Sequence, residues 1–163
     1  MSRKALAAFL LALTIFLPQP AAAQRRRKRT RRTTTQRSYK TISHNERITP
    51  SAFVVAPGQF NYFPVTLVNS TGSGILTGRF RAQGGSGNDI EVFVVDEDGL
   101  ENYKNGHRVP TYYNSGRVTV GTINAVIVEG HTYYLVFNNR FSTFSNKAIT
   151  ADISLMYDQP VNR

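Results

Sequence analysis

Asp96-Glu97-Asp98-Gly99, with Glu101 close behind, is the densest run of hard oxygen ligands in the chain. Carboxylates that close together suit a calcium loop, but the longer ligand spacing and the distal glutamate of an EF-hand are missing. The competing reading is a solvated, acidic hairpin turn in which Gly99 takes a positive φ. That reading is adopted here. No metal and no cofactor is expected, and Asp96, Asp98 and Glu101 are where a cation would go if one bound. Gly84-Gly85-Ser86-Gly87-Asn88 has the composition of a phosphate-cradling loop, which needs a helix N-terminus directly after its glycines. A strand-like apolar run, residues 90–95, follows instead, so the segment is expected to be a turn.

Nucleophilic chemistry has as little to build on. The chain has no cysteine, which removes thiolate nucleophiles, thiolate metal sites and disulfides together. No Gly-x-Ser-x-Gly elbow is present, and His44, His107 and His131 have no Glu or second His at a metal-ligand spacing. No catalytic residue is nominated, and the chain is not expected to be an enzyme. The alternative that stays open is a small extracellular hydrolase of glycan or peptide, using Asp96, Asp98 or Glu101 with a histidine brought near by folding.

Aromatic residues offer binding rather than catalysis. The chain has eight Tyr and ten Phe but no Trp. Tyr112, Tyr113, Phe141 and Phe144 fall in expected loops, the last two beside Asn139 and Arg140. Such side chains give contact area at small entropic cost, and these six residues form the candidate platform for a sugar ring or a protein. The bland counterpart is that they plug the ends of a small domain that must bury its large side chains somewhere.

The net charge of +10 is unevenly placed. Arg25, Arg26, Arg27, Lys28, Arg29, Arg31, Arg32, Arg37 and Lys40 crowd residues 24–40 with no acid among them, whereas residues 41–163 hold nine Lys and Arg against ten Asp and Glu. Any affinity for polyanions therefore belongs to an arm. Residues 24–50 are Arg, Thr, Ser and Gln with almost nothing to bury, and they are expected to be disordered. Arginine pairs bidentately with phosphate and carboxylate. With few aromatics in the arm, binding to an anionic envelope surface is expected over sequence-specific nucleic-acid recognition.

Ahead of the arm, Arg3 and Lys4, an apolar run over residues 5–17 and Ala21-Ala22-Ala23 make the three parts of a secretory signal, with cleavage expected after Ala23. The apolar run is short of the roughly 20 residues a membrane span needs. A secreted or periplasmic protein without a transmembrane segment is expected. The lack of disulfides fits a bacterial one.

From Phe53 onward the pattern is that of an all-β domain, residues 51–158, with a tail at 159–163. Leu76, Phe80 and Ala82 alternate with Thr77, Arg79 and Arg81, and Ile149, Ala151, Ile153, Leu155 and Tyr157 alternate with Thr150, Asp152 and Ser154, the period of strands with one wet face. Runs 90–95 and 125–128 are nearly continuous and read as central strands covered on both sides. Further strands are expected at 52–55, 60–68, 117–122 and 133–138. Pro64 marks an edge or a bulge, and residues 100–106 have room for one helical turn. Roughly eight strands in this length make an antiparallel β-sandwich or jelly roll.

One stretch carries a resemblance. Gly130, Tyr133-Tyr134, Phe137-Asn138, Phe141-Ser142, Ser145 and Lys147, ahead of a last strand from Ile149, resemble the end of the GOLD domain of the emp24/p24 family. Asn88-Asp89-Ile90-Glu91-Val92-Phe93-Val94-Val95, followed by an Asp-rich turn and Tyr103, is similar to its middle. The resemblance implies a jelly-roll-like sandwich that mediates protein interactions and no enzyme. Leu135 and Val136 stand where the family has a disulfide cysteine, and a cargo-receptor role is not implied. Asn138 and Asn139 are expected to hold turn backbone while Phe137 and Phe141 pack inward. The function expected is a non-enzymatic binding module whose sandwich contacts a protein or glycan while the arm engages envelope polyanions. An adhesive or assembly subunit is a further alternative, one that an unprotected edge strand would favour.

Overall fold

Strict alternation along Ser73–Gln83 puts Leu76, Phe80 and Ala82 into the interior and leaves Ile75, Arg79 and Arg81 outside, and Lys147–Pro160 does the same with Ile149, Ala151, Ile153 and Leu155. Two such half-wet strands side by side require a second apolar layer. A computed structural model describes residues 40–161 and shows where that layer comes from. The order is β1 (Thr41–Arg47), β2 (Ala52–Val55), β3 (Phe60–Thr66), β4 (Ser73–Gln83), β5 (Ile90–Asp96), α1 (Glu97–Lys104), β6 (Tyr113–Val118), β7 (Val120–Val128), β8 (Thr132–Asn138) and β9 (Lys147–Pro160).

One sheet runs β1-β9-β4-β7, with β2 beside the first part of β9 and β1 beside the rest; the other runs β3-β8-β5-β6. All pairings are antiparallel. The pairs β2·β9, β3·β8, β4·β7 and β5·β6 are those of one long hairpin rolled upon itself, with its turn at α1. That winding is a jelly roll, and the all-β sandwich expected from periodicity is what forms.

Between the sheets lie Val55, Leu76, Phe80, Ile123, Ile127, Leu135, Phe137, Ile149, Ile153 and Leu155. Phe137 sits among Phe53, Phe63 and Phe80 in edge-to-face pairs with centroids 5.0, 6.0 and 5.9 Å away. At Gly78, φ is +149° and a Cβ would run into the Asp152 carbonyl and the Ile153 Cα, so only glycine lets β4 lie this close to β9. A second apolar cluster, Phe93, Val95, Leu100 and Val136, lies on the outer face of β5 and β8 beneath α1. Run 90–95 is thus covered on both faces, as expected.

Five expectations are corrected. Residues 41–47, assigned to the disordered arm, form β1: their backbone pairs with β9, which outruns β2 and offers the spare ladder positions Ser154–Pro160. This makes nine strands where eight were expected. The tail starts no earlier than Val161, because β9 continues through Pro160. Residues 117–122 are not one strand, since the chain leaves β6 at Val118 and enters the other sheet at Val120. Run 125–128 belongs to β7, an edge strand whose Ala125 and Ile127 are buried while Val126 and Val128 face outward. The acidic run is no hairpin: Asp96 caps α1, its Oδ1 accepting from the Gly99 N–H at 2.8 Å, and Glu97 and Asp98 sit in the first turn, where negative charge suits the helix dipole. Pro64 stands on β3, an edge strand, as expected. The segment expected to be a signal peptide and the cluster Arg25, Arg26, Arg27, Lys28, Arg29, Arg31 and Arg32 lie outside the described residues.

Candidate binding surface

The six nominated aromatic and loop residues do not form one site. Tyr112 and Tyr113 stand at one end of β5, where the Tyr112 N–H donates to the Val94 carbonyl and Tyr113 is paired with Val94. Asn139, Arg140, Phe141 and Phe144 stand beyond the other end, where Glu91 pairs with Asn138. At about 3.3 Å per residue the two groups are separated by roughly 10 Å of strand.

Their individual duties also differ. Tyr112 stacks edge-on against Tyr133, and its hydroxyl donates to Oδ2 of Asp96 at 3.0 Å, a bond that raises its pKa. Tyr113 reaches across to the other sheet and donates to the Thr122 carbonyl at 2.7 Å, and burial raises its pKa. Asn139 is fully buried, its Nδ2 facing the carbonyls of Val55 (3.2 Å), Ala56 (3.1 Å) and Ser145 (2.9 Å). Asn138 donates to Glu91 at 2.7 Å and accepts from the Arg140 N–H at 2.9 Å. Both asparagines hold backbone or strand ends as expected. Phe137 packs inward, but Phe141 is only half-buried, with the Arg117 guanidinium 4.1 Å from its ring centroid. Phe144 stands out into solvent, 92% exposed.

Asp96 is committed to capping and to Tyr112, Asp98 is exposed, and Glu101 meets Lys104 at 3.9 Å. Among the described residues, none of the three accepts a hydrogen bond from a histidine, and no group of three or more His, Asp or Glu is placed to hold a metal.

The structure gathers aromatics elsewhere, on the outer face of the β3-β8-β5-β6 sheet. Residues 60, 62 and 64 of β3 point outward, because Val65 points in. Tyr62 therefore meets Tyr134 edge-on at 5.8 Å and leans towards Phe60 at 6.2 Å, and Phe60 meets Tyr103 of α1 edge-on at 5.2 Å. Lys104 stands 5.2 Å over Tyr62, and Arg140 stands 4.9 Å over Phe60 and 5.0 Å over Tyr103. Arg140 also donates to the carbonyls of Tyr103 (2.8 Å) and Lys104 (3.2 Å), closing the C-terminal turn of α1. Burial pushes the Tyr103 phenol up to about 12, against the opposing pull of Arg140.

On the far side of Tyr103 a groove of about 430 Å³ is lined by Glu91, Phe93, His107, Arg108 and Asn114 among others. The Glu91 carboxylate is fixed there by Asn114 (3.3 Å) and Asn138 (2.7 Å). Strip and groove together offer ring faces, three cations, amides and an oriented carboxylate on one side of the molecule. Of the six nominated residues only Arg140 belongs to it. Phe60, Tyr62, Glu91, Tyr103, Asn114 and Tyr134 are not among the site residues nominated from sequence, though residues 60–65 carry aromatics at both parities, which forces some of them outward. Among the described residues no helix is long and apolar enough to cross a membrane. The sequence matches no protein-family model and no curated protein.

Proposed function

We propose that this protein is a non-enzymatic binding module, exported to the periplasm or beyond, whose sandwich binds a glycan and whose arginine-rich segment engages anionic envelope surfaces. The observation that carries it is the outer-face strip Tyr134–Tyr62–Phe60–Tyr103 with Lys104 and Arg140 over its rings. Aromatic faces bind the apolar side of a sugar ring, while the amides and the carboxylate of the adjoining groove suit its hydroxyls. The GOLD-like residues at 130–149 support an interaction role rather than a catalytic one. The charge segregation supports a separate electrostatic contribution from the arm, worth about 1 kcal/mol for each basic residue near an anionic surface.

The test is binding of the purified protein to an envelope fraction over a salt series, with and without residues 24–39. The deletion stops there because the Lys40 carbonyl already accepts from Val161 and β1 follows. Binding by the shortened protein that persists at high salt, is competed by soluble envelope glycan and is lost in Tyr62→Ala supports the strip. Competition by protein but not by glycan would reassign the partner. No binding by either form at low salt ends the reading.

A further inference from the structure

The five outer strands of the two sheets are not equally protected: β2, beside β1 on β9, is only four residues long and its Val54 carbonyl accepts from the Asn61 amide at 3.1 Å. β3 carries Pro64, β6 is bulged where its register with β5 shifts between Glu91 and Phe93, and β1 carries Glu46 and Arg47, the latter tied to Asp152 at 2.8 Å. These are the usual means of preventing edge-to-edge pairing. β7, Val-Gly-Thr-Ile-Asn-Ala-Val-Ile-Val, has no proline and no charge, and its register with β4 runs without a shift from Ser73↔Val128 to Arg81↔Val120.

The direction of its free backbone groups follows from parity. The Thr119 carbonyl accepts from Ala82 and the Glu129 N–H donates to Gly72, so odd-numbered positions of β7 bond towards β4. In an unshifted antiparallel ladder the even-numbered positions then aim N–H and C=O at the open side. There the Thr122 carbonyl is already taken by the Tyr113 hydroxyl. Asn124, Val126 and Val128 have no such cap among the described residues. Beside them Met156, Ile75 and Val126 stand in one cross-strand row, all facing solvent, with Val126 62% exposed.

We propose that β7 pairs antiparallel with β7 of a second copy of this chain, about a two-fold axis at Val126. This goes beyond the binding role above and does not depend on it. A two-fold needs a self-complementary strand. β7 is one, because it brings no charge to repel its copy. Centring on Val126 bonds Val126 to Val126 and Asn124 to Val128 of the copy, leaves the Tyr113–Thr122 bond intact, and joins the two rows Met156–Ile75–Val126 end to end. A register centred on Asn124 would need the carbonyl that Tyr113 holds. The contact is smaller than the roughly 1,200–2,000 Å² of a standard interface, so the dimer is weak and depends on concentration.

Because the chain has no cysteine, a single introduced thiol reports the axis. Directly opposed residues of an antiparallel pair lie about 5.5 Å apart at Cα, inside the disulfide range. Under mild oxidation of the purified full chain, Val126→Cys is expected to give a covalent dimer at least tenfold faster than Val120→Cys, which this register leaves unopposed. Sedimentation of the cysteine-free protein is expected to show a monomer–dimer equilibrium that Val126→Pro and Val126→Lys both abolish. Proline there loses only an outward N–H, so the melting temperature should hold, and the lysine variant covers the case in which it does not. A monomer at every attainable concentration, equal cross-linking at 120 and 126, or a dimer insensitive to both substitutions overturns the proposal.

Discussion

The Nζ of Lys147 lies 3.0 Å from Oδ1 of Asp89, and only 3% of the lysine side chain is exposed. The ammonium also donates to the Gly84 carbonyl at 2.9 Å, so one cation ties β9 to the turn between β4 and β5. The bond from the Lys147 ammonium to Asp89 itself holds that carboxyl below its ordinary 3.8. A carboxyl lowered in the folded state contributes stability that is complete above 3.8 and is lost as pH falls through its lower folded value. Asp89→Asn is therefore expected to cost about 1–2 kcal/mol at pH 7, a charge-assisted bond discounted for the partial exposure of Asp89. Its urea midpoint should also fall less steeply than wild type below pH 4. Equal slopes in acid would show that the pair does not contribute.

Asn139 yields a sharper test, since three carbonyl oxygens converge on one amide nitrogen. Asn139→Ala removes that shared donor at a cost of about 1–3 kcal/mol, although Ala56 keeps the Gln59 N–H and Ser145 keeps the Ser142 hydroxyl. Asn139→Asp should cost more at neutral pH, because it puts a carboxylate where the donor was, and it should recover part of the loss in acid. The midpoint of thermal unfolding at pH 7 and pH 4 reads both. An aspartate variant as stable as wild type at pH 7 contradicts the assignment.

The amphipathic strands were legible in sequence because their signal is local: alternation in β4 and β9 and the continuous run of β5 follow directly from one or two faces being covered. β1 was not legible. Thr41–Arg47 has one large apolar residue, and it is a strand because β9 is long enough to receive it, a fact that lies more than a hundred residues away. The run 125–128 misled for a related reason. Val126 and Val128 are apolar yet exposed, and an edge strand whose outer face is apolar reads like a buried one. The candidate surface was missed because Phe60, Tyr62, Tyr103 and Tyr134 come from three elements, and only the winding of the jelly roll brings them together.

Tyr62, 44% exposed, is the accessible centre of that strip. Tyr62→Ala removes a ring that supports Tyr134 and Lys104 but no part of the core between the sheets, so the expected stability loss is within about 1 kcal/mol. Binding to an envelope glycan should weaken by tenfold or more. Phe60→Ala, beneath Arg140 and against Tyr103, should lower both quantities. Isothermal titration beside denaturant melts separates the two effects, and a Tyr62→Ala protein that binds as wild type moves the site away from the strip.

Tyr113→Phe keeps the half-buried ring and deletes only the hydroxyl that reaches the Thr122 carbonyl. A single neutral hydrogen bond predicts a loss of about 0.5–1.5 kcal/mol in urea denaturation. The same change frees the next carbonyl along β7, so strand pairing between copies gains a second register centred on Asn124. In the Tyr113→Phe background, Asn124→Cys should then cross-link faster than it does with Tyr113 present, while Val126→Cys slows as the two registers compete. If the Asn124→Cys rate is the same in both backgrounds, the hydroxyl does not select the register, and Tyr113 serves only to tie the two sheets at their corner.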